Sequence, residues 1–146
     1  MLRLDVQSLR GCFVIPPSIA VVSAVALILY QVLAFNVGRA RVRYQVKPPQ
    51  VSGPPEFERV YRVQQNTLEQ LVFFLPSLWL FAGFVNVTAA ASFGGIWIFG
   101  RILYAWGYYQ APEKRGPGFG ISFLAAAVLA IGALIGSLLA LIQPAA

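Results

Sequence analysis

Histidine is absent from this chain of 146 residues, and cysteine occurs once, at Cys12. The absence of histidine excludes His-based catalytic triads and the usual metal sites. A single cysteine excludes an intramolecular disulfide and a metal site built from several thiolates. Charged residues are also scarce: they make up 11 % of the chain, whereas a soluble domain averages about 25 %. The sequence therefore predicts neither a metalloenzyme nor an ordinary soluble domain.

Apolar residues dominate the composition, at 58 % of the chain. This proportion predicts an integral membrane protein. The net charge is +6, because 11 lysines and arginines face only 5 acidic residues. These basic residues flank apolar segments, so we expect them to meet anionic lipid headgroups or an anionic ligand. Nucleic acid is not an expected partner.

Four apolar segments, at about residues 19–37, 71–87, 89–109 and 119–142, divide the chain. Each is close to the ~20 residues that span the hydrocarbon core of a bilayer. Backbone groups in lipid must satisfy their own hydrogen bonds, so spans of this length are helices. The expected fold is an all-α integral membrane protein, with one domain over 1–146 that forms a bundle of four transmembrane helices. Small residues in the last segment are expected to permit close helix contact: Gly118, Gly120, Gly132 and Gly136.

Basic residues concentrate in two of the three connections between these segments. The first connection and the start of the second helix carry Arg39, Arg41, Arg43, Lys47, Arg59 and Arg62, and the third connection carries Lys114 and Arg115. Cytoplasmic loops of membrane proteins are enriched in lysine and arginine. We therefore expect a multi-pass protein whose first and third connections are cytoplasmic and whose termini both lie on the opposite side.

The second helix is amphipathic along its length. The polar segment EFERVYRVQQNTLEQ, from Glu56 to Gln70, runs without a break into the apolar LVFFLPSLWLFAGFV. Arg62, Asn66 and Glu69 are spaced by four and three residues, so they share one helix face. Ionisable groups at membrane depth usually face a bundle interior or a wet cavity. This face predicts a ligand site; the alternative is an internal ion pair between Arg62 and Glu69 that only holds helices together.

The third helix carries a second polar face. Arg101, Tyr104 and Tyr108 are spaced by three and four residues, and Arg115 follows seven residues later, beyond Pro112. We expect the third helix to end near this proline. Tyrosines near the end of a span also form interfacial belts. Tyr104 and Tyr108 are instead expected to meet the polar face of the second helix.

Three motifs give the sequence a family resemblance. GPPEFERVYRVQQNTLEQ resembles the signature of the MAPEG family, the membrane-associated proteins in eicosanoid and glutathione metabolism. GRILYAWGYYQAPEKR resembles the third-helix motif of that family, and GRARVRYQVKPP resembles its first loop. The resemblance extends over nearly the whole chain and is greatest to the microsomal glutathione transferase and leukotriene C synthase branch. It implies a four-helix protomer that assembles as a homotrimer, with active sites between neighbouring protomers near the cytoplasmic face.

The resemblance also implies roles for individual residues. Arg115 is implied to activate the thiol of glutathione, and Tyr104 is the rival activator, through a hydrogen bond from its hydroxyl. The implied glutathione-binding residues are Arg41, Arg62, Gln64, Asn66, Glu69, Tyr104 and Tyr108. Two positions depart from the pattern. Val42 replaces a second arginine of leukotriene C synthase, which argues against that substrate, and Gln70 replaces an aromatic residue of the pocket wall.

The chemistry of glutathione agrees with this set of charges. Glutathione carries two carboxylates and one ammonium, and arginine binds carboxylates bidentately. Arg41, Arg62 and Arg115 would hold the carboxylates and Glu69 the ammonium. We therefore expect a membrane-bound glutathione transferase with glutathione as co-substrate and no metal. Its second substrate, a lipophilic electrophile or a lipid hydroperoxide, would enter from the membrane lipid. Two alternatives are a non-catalytic lipid-binding scaffold resembling the five-lipoxygenase-activating protein and a purely structural bundle.

Overall fold

A computed structural model describes residues 15–142 of the chain, which leaves Cys12 and both termini outside the described part. Within this range the chain forms four long helices: α1 Pro17–Tyr44, α2 Pro55–Phe84, α3 Val87–Gln110 and α4 Gly116–Ile142. A 3-10 helix, Pro112–Arg115, joins α3 to α4. All four segments are long and apolar enough to cross a membrane. The predicted all-helical fold, with four helices suited to cross a membrane, is confirmed over the described residues.

The helices α1 and α2 extend beyond their predicted apolar segments into polar sequence. Helix α1 ends at Gln45, which adopts a left-handed conformation with φ of 58°, and the following Val46 amide donates to the carbonyl of Arg41 at 3.1 Å. Such a turn satisfies carbonyl groups that a helix end leaves unpaired. Helix α2 begins with Pro55, followed by Glu56 and Glu58 in its first turn. Proline is preorganised for the first helical position, and acidic residues favour the positive end of the helix dipole.

Helix α2 is continuous from its polar half into its apolar half, as the sequence predicted. Pro76 lies inside the apolar half and cannot donate a backbone hydrogen bond. One residue later, the Ser77 hydroxyl donates to the carbonyl of Phe73 at 2.8 Å. Transmembrane helices tolerate proline because such side chains and neighbouring helices satisfy nearby backbone groups.

Helix α3 is capped at both ends by side chains. The Asn86 side chain accepts from the Ala89 amide at 2.9 Å, which is a typical N-cap. At the other end, Arg59 of α2 donates to the carbonyls of Tyr109 at 3.4 Å and Gln110 at 3.1 Å. These are terminal carbonyls, where a cation is favourable. The contact also brings the start of α2 to the end of α3, so the first and third connections lie at the same end of the bundle.

The apolar core lies in the half of the bundle away from these connections. Its centre is the stack of Phe74 on Trp97, whose ring centroids are 4.0 Å apart and nearly parallel. Aromatic side chains bury large areas and gain energy from stacking. Around them lie buried residues of all four helices, including Ile19, Leu78, Ala125 and Leu129. This apolar layer supports the polar half of the bundle.

Helices α3 and α4 approach closely at glycines. A Cβ on Gly118 would collide with the backbone of Leu103 and Tyr104, and one on Gly100 would collide with the backbone of Ser122. A Cβ on Gly132 would collide with the side-chain ring of Phe81 on α2, whereas one on Gly120 would meet open space. Small residues allow helix backbones to approach within a membrane. The close approach at Gly118 fixes the height of Tyr104 in the bundle.

We predict that Gly118→Ala lowers the thermal unfolding temperature in detergent, because α4 would have to move away from the α3 backbone. Overpacking of this kind typically costs about 1–3 kcal/mol. Gly120→Ala is the matched control on the same helix. It should be neutral or slightly stabilising, since alanine favours a helix over glycine by ~1 kcal/mol. Equal unfolding temperatures for the two variants would contradict the close packing at Gly118.

Candidate functional site

The polar faces of α2 and α3 meet inside the bundle. The Asn66 side-chain amide donates to the Tyr104 hydroxyl at 2.5 Å. One residue later, the Thr67 hydroxyl accepts from Nη2 of Arg101 at 2.6 Å, and it donates to the Val63 carbonyl at 2.7 Å. The predicted meeting of Tyr104 with the polar face of α2 is therefore confirmed. Because neutral polar groups are costly to bury unpaired, these bonds also hold the two helices in one register.

Tyr108 and Arg115 extend this site toward the third connection. Tyr104 and Tyr108 are 1 % and 9 % exposed, and their rings meet edge to face with centroids 5.6 Å apart. Because α3 stops at Gln110 and the 3-10 helix turns the chain, the Arg115 guanidinium carbon lies 5.4 Å from the Tyr108 ring centroid. At that range a cation is attracted to the face of an aromatic ring. The turn thus brings Arg115 back beside the tyrosines of α3.

Arg62 and Glu69 lie on the surface of the chain. Both side chains are exposed, on the same helix face as the half-buried Asn66. The one ion pair found within residues 15–142 is Arg59–Glu56, at 3.8 Å. The alternative in which Arg62 and Glu69 form an internal ion pair is therefore wrong for the described chain. Both charges remain available to a ligand or to another copy of the protein.

Gln64 and Arg41 point to a different part of the bundle. The Gln64 amide is buried and donates to the Tyr30 hydroxyl of α1 at 2.6 Å. Arg41 donates to the carbonyl of Gln50 in the first connection at 2.7 Å, and its guanidinium carbon lies 5.3 Å from the Phe57 ring centroid. Neither residue forms a hydrogen bond with Arg62, Asn66 or Glu69. Gln64 follows Arg62 by two residues, so it lies about 200° around α2 from that face.

The candidate site therefore has two parts within one chain. The α2–α3 group comprises Arg62, Asn66, Glu69, Tyr104 and Tyr108, together with Arg115 of the 3-10 helix that follows α3. The α1 group comprises Arg41 of α1 and Gln64, the α2 residue that bonds to Tyr30 of α1. The α2–α3 group presents two guanidinium groups, one carboxylate, one amide and two phenols. Such a set binds a ligand that carries carboxylates and an ammonium, since guanidinium groups pair with carboxylates and Glu69 with a cation.

Several residues of the site have roles that sequence patterns did not reveal. Thr67 was not assigned a role, yet it holds Arg101, and Tyr30 holds Gln64. Arg101 shared a helix face with Tyr104 in the sequence, but its complete burial was not predicted. A charged residue inside an apolar span signals an internal partner. That signal does not name the partner, because the rotation of each helix decides which residues meet.

Comparisons of the sequence with known proteins show which family the chain resembles. The model of the MAPEG family matches residues 19–135. An uncharacterized protein of Synechocystis sp. is 58 % identical over 116 residues, which cover 80 % of this chain and 85 % of that protein. Microsomal glutathione S-transferase 2 of Homo sapiens is 42 % identical over 120 residues, which cover 82 % of this chain and 80 % of the relative. Leukotriene C4 synthase of Cavia porcellus is 39 % identical over 97 residues, or 66 % of this chain and 65 % of that enzyme.

Proposed function

Since the chain belongs to the MAPEG family, we propose that it is a membrane-bound glutathione transferase, which joins the glutathione thiolate to lipophilic electrophiles. The observation that carries this proposal is the α2–α3 group. This group joins α2 to α3 through the Asn66–Tyr104 hydrogen bond, and its two arginines and one glutamate are all exposed. The relatives named as a glutathione S-transferase and a leukotriene C4 synthase support the same reaction class.

The charges of this face match the charges of glutathione. Arg62 and Arg115 are each able to hold a carboxylate through two parallel hydrogen bonds. Glu69 would hold the ammonium of the γ-glutamyl part. Arg62 and Glu69 lie about two helical turns apart on α2, so they would grip a ligand that lies along the helix. The peptide would then extend toward Tyr104 and Arg115.

The second substrate would arrive from lipid. Directly beyond Glu69, α2 exposes apolar side chains, including Val72 and Phe73. A water-soluble thiol held at the polar half of α2 and an electrophile dissolved beside its apolar half would meet at this boundary. Conjugation forms a bond from sulfur to carbon, and the electrophile's leaving group departs with its electron pair. The arrangement explains why one helix is built from a polar half and an apolar half.

A peroxidase reaction would use the same thiolate. The sulfur would attack an oxygen of a lipid hydroperoxide, releasing the lipid alcohol and leaving glutathione as its sulfenic acid. A second glutathione would then form the disulfide and release water. The hydroperoxide is reduced and two thiols are oxidised, so the reaction needs no metal or further cofactor. The apolar surface beyond Glu69 would receive the lipid chain in both reactions.

To test this function, the protein in lipid nanodiscs is supplied with glutathione and either a nitro-activated aryl chloride or a lipid hydroperoxide. We expect conjugate and chloride from the first substrate, and lipid alcohol with glutathione disulfide from the second. Arg62→Ala should lose both activities, whereas Arg43→Ala, which removes an arginine of α1 outside the site, should keep them. A folded protein that binds lipid but neither binds nor consumes glutathione would contradict the proposal and favour the scaffold function.

A homotrimer would complete the site. Arg62 and Glu69 are exposed beside exposed Leu68 and Val72, close to the start of the apolar half of α2, and ionisable groups near lipid usually face protein or a wet cavity. A neighbouring copy would cover these charges. The α1 group, Arg41 and Gln64, faces another side of the chain, so a site shared between copies would combine the α2–α3 group of one with the α1 group of the next. The number three rests on the family resemblance. The enriched basic residues favour a cytoplasmic site.

We predict a mass of three chains by native mass spectrometry in detergent. Isolated copies would leave Arg62 and Glu69 uncovered, so the trimer should persist in any detergent that preserves activity. A mass of a single chain, measured while glutathione still binds and turns over, would contradict the shared site.

We predict that Glu69→Gln weakens glutathione binding by roughly 2–5 kcal/mol, because the ammonium of the ligand would lose its partner. The dissociation constant, measured by equilibrium dialysis, should therefore rise more than tenfold. Glu56→Gln is the control on the same helix. Its carboxylate pairs with Arg59 at the surface, where such a pair contributes little. Unchanged affinity in folded Glu69→Gln would remove Glu69 from the site.

Arg115 is proposed to stabilise the thiolate. A free cysteine thiol titrates near ~8.5, and lowering the pKa of the bound thiol by about two units requires about 2.7 kcal/mol. A cation at about 4 Å supplies ~1 kcal/mol in water but ~4 kcal/mol at an effective dielectric constant near 20. Arg115 is exposed in the single chain. The mechanism therefore needs the neighbouring copy to shield it from water.

We predict that Arg115→Ala raises the pKa of the bound glutathione thiol toward that of free cysteine, with glutathione still bound and turnover at neutral pH reduced. The pKa is read from thiolate absorbance against pH. The sign follows from charge, since a cation favours the ionised sulfur. Tyr104→Phe should raise the pKa by less, because a neutral hydroxyl supplies one hydrogen bond. If bound glutathione titrates in Arg115→Ala as in the wild type and turnover is unchanged, this role is contradicted. Arg115 would then be a basic residue that contributes only to membrane orientation.

A further inference from the structure

Arg101 is a charged side chain with no exposed surface, in the middle of a helix suited to cross a membrane. Nη2 donates to Thr67 at 2.6 Å, but Nε and Nη1 have no hydrogen-bond partner among the described residues. No carboxylate within residues 15–142 lies in salt-bridge range of it. Burying a charge without a paired anion is costly. A leucine or methionine would pack α3 at lower cost, so the buried charge of Arg101 points to a contribution beyond packing.

The face of this guanidinium lies against Tyr104. The guanidinium carbon is 4.0 Å from the centroid of the Tyr104 ring, well inside the range of a cation–π interaction. In an environment without water this attraction is larger than at a surface. It fixes the plane of the ring and draws electron density toward the cation. The interaction also replaces part of the hydration that Arg101 loses on burial.

The hydroxyl oxygen of Tyr104, at the far end of the side chain, accepts a hydrogen bond. Asn66 donates its amide hydrogen to the Tyr104 oxygen. A tyrosine hydroxyl carries one donor and accepts through its lone pairs, so the proton of Tyr104 stays free for a further acceptor. Donation by Asn66 and the cation beneath the ring both withdraw electron density from the oxygen. Hydrogen bonds in such chains polarise one another. The result is a hydroxyl that donates strongly in a fixed direction.

We propose that Arg101 is a positioning residue that orients and polarises Tyr104 from beneath its ring, so that the Tyr104 hydroxyl donates a hydrogen bond to the sulfur of bound glutathione. This role rests on the proposed function. Arg101 is stacked on the Tyr104 ring rather than placed at its hydroxyl, so it acts through Tyr104. No bond breaks in this step; the phenol proton stays on oxygen, and the negative charge of the thiolate is stabilised where it forms.

The remaining donors of Arg101 have a candidate partner on α2. Gln70 lies between the two cross-helix contacts, Thr67–Arg101 and Phe74–Trp97. Its side-chain oxygen is buried without a hydrogen-bond partner, as is the indole nitrogen of Trp97. These unpaired polar atoms belong to the same α2–α3 interface as the Thr67–Arg101 hydrogen bond.

The first test reads the Tyr104 side chain directly, without glutathione. Tyrosines are labelled with carbon-13 at Cζ in the full-length protein in nanodiscs, and the Tyr104 signal is assigned by its loss in Tyr104→Phe. Arg101→Met should move the Tyr104 signal, and Arg101→Lys should restore part of the wild-type position. Thr67→Val keeps the arginine but removes its hydrogen bond, so it should give a smaller shift.

Arg43→Met is the matched control. It removes a cation that lies 5.6 Å from the ring centroid of Tyr44, so it should move the Tyr44 signal and leave Tyr104 unchanged. If Arg101 only holds α2 to α3, the Tyr104 signal stays at its wild-type position in every folded variant, and the proposal is overturned. If the Arg101 variants fail to fold, the Tyr104 signal of Thr67→Val decides the question: a shift supports the proposal, and a wild-type position overturns it.

The second test reads the thiol of bound glutathione by thiolate absorbance against pH. Arg101→Met should shift the titration upward by as much as Tyr104→Phe, with nearly unchanged glutathione affinity, and the double variant should shift no further. Additive shifts would mean that Arg101 acts without Tyr104, which overturns the positioning role. If the wild-type protein binds no glutathione, the proposed transferase function fails; the NMR measurement still decides whether Arg101 controls the Tyr104 phenol.

Discussion

The Arg101 side chain, fully buried between α2 and α3, imposes a constraint on which the rest of the site depends. Its hydrogen bond to Thr67 and its stack on Tyr104 hold these two helices in one register. In that register Asn66 reaches the Tyr104 hydroxyl, and Phe74 stacks on Trp97 further along the bundle. A shift of one helical turn, about 5.4 Å, would break the Arg101–Thr67 and Asn66–Tyr104 hydrogen bonds. Each buried polar group left unpaired would cost about 1–3 kcal/mol.

Helix α2 links this register to the proposed function because its polar half suits water and its apolar half suits lipid. Its apolar half packs around Phe74 and Leu78 in the core, and its polar half keeps Arg62 and Glu69 on an exposed face. Exposed charges beside an apolar helix segment are unfavourable where a single copy of the chain meets lipid. A polar ligand and a neighbouring copy of the chain would together supply what the single chain leaves open. Under the proposed function, the same exposed charges would serve both binding and assembly.

Sequence patterns predicted the fold well, because apolar runs of membrane length and flanking basic residues follow from the solvent alone. The helix ends differ by several residues, since α1 and α2 continue as helices beyond the hydrocarbon. The Arg62, Asn66 and Glu69 face and its meeting with Tyr104 were also predictable, because helical spacing fixes which residues share a side. The pairing of Arg101 with Thr67 and of Gln64 with Tyr30 was not. Those contacts depend on how far each helix is rotated and shifted against its neighbour, and the spacing of residues along one helix does not specify either quantity.

Isothermal titration of the wild-type protein with glutathione, in nanodiscs and without an electrophile, tests the central claim most directly. The exposed polar half of α2 is proposed to bind a zwitterionic thiol. Such binding should give saturable heat with one glutathione bound per chain, and it should weaken at higher salt because the contacts are ionic. Absence of saturable heat from a folded, assembled protein would contradict it, and the polar face of α2 would then serve only to join helices or copies.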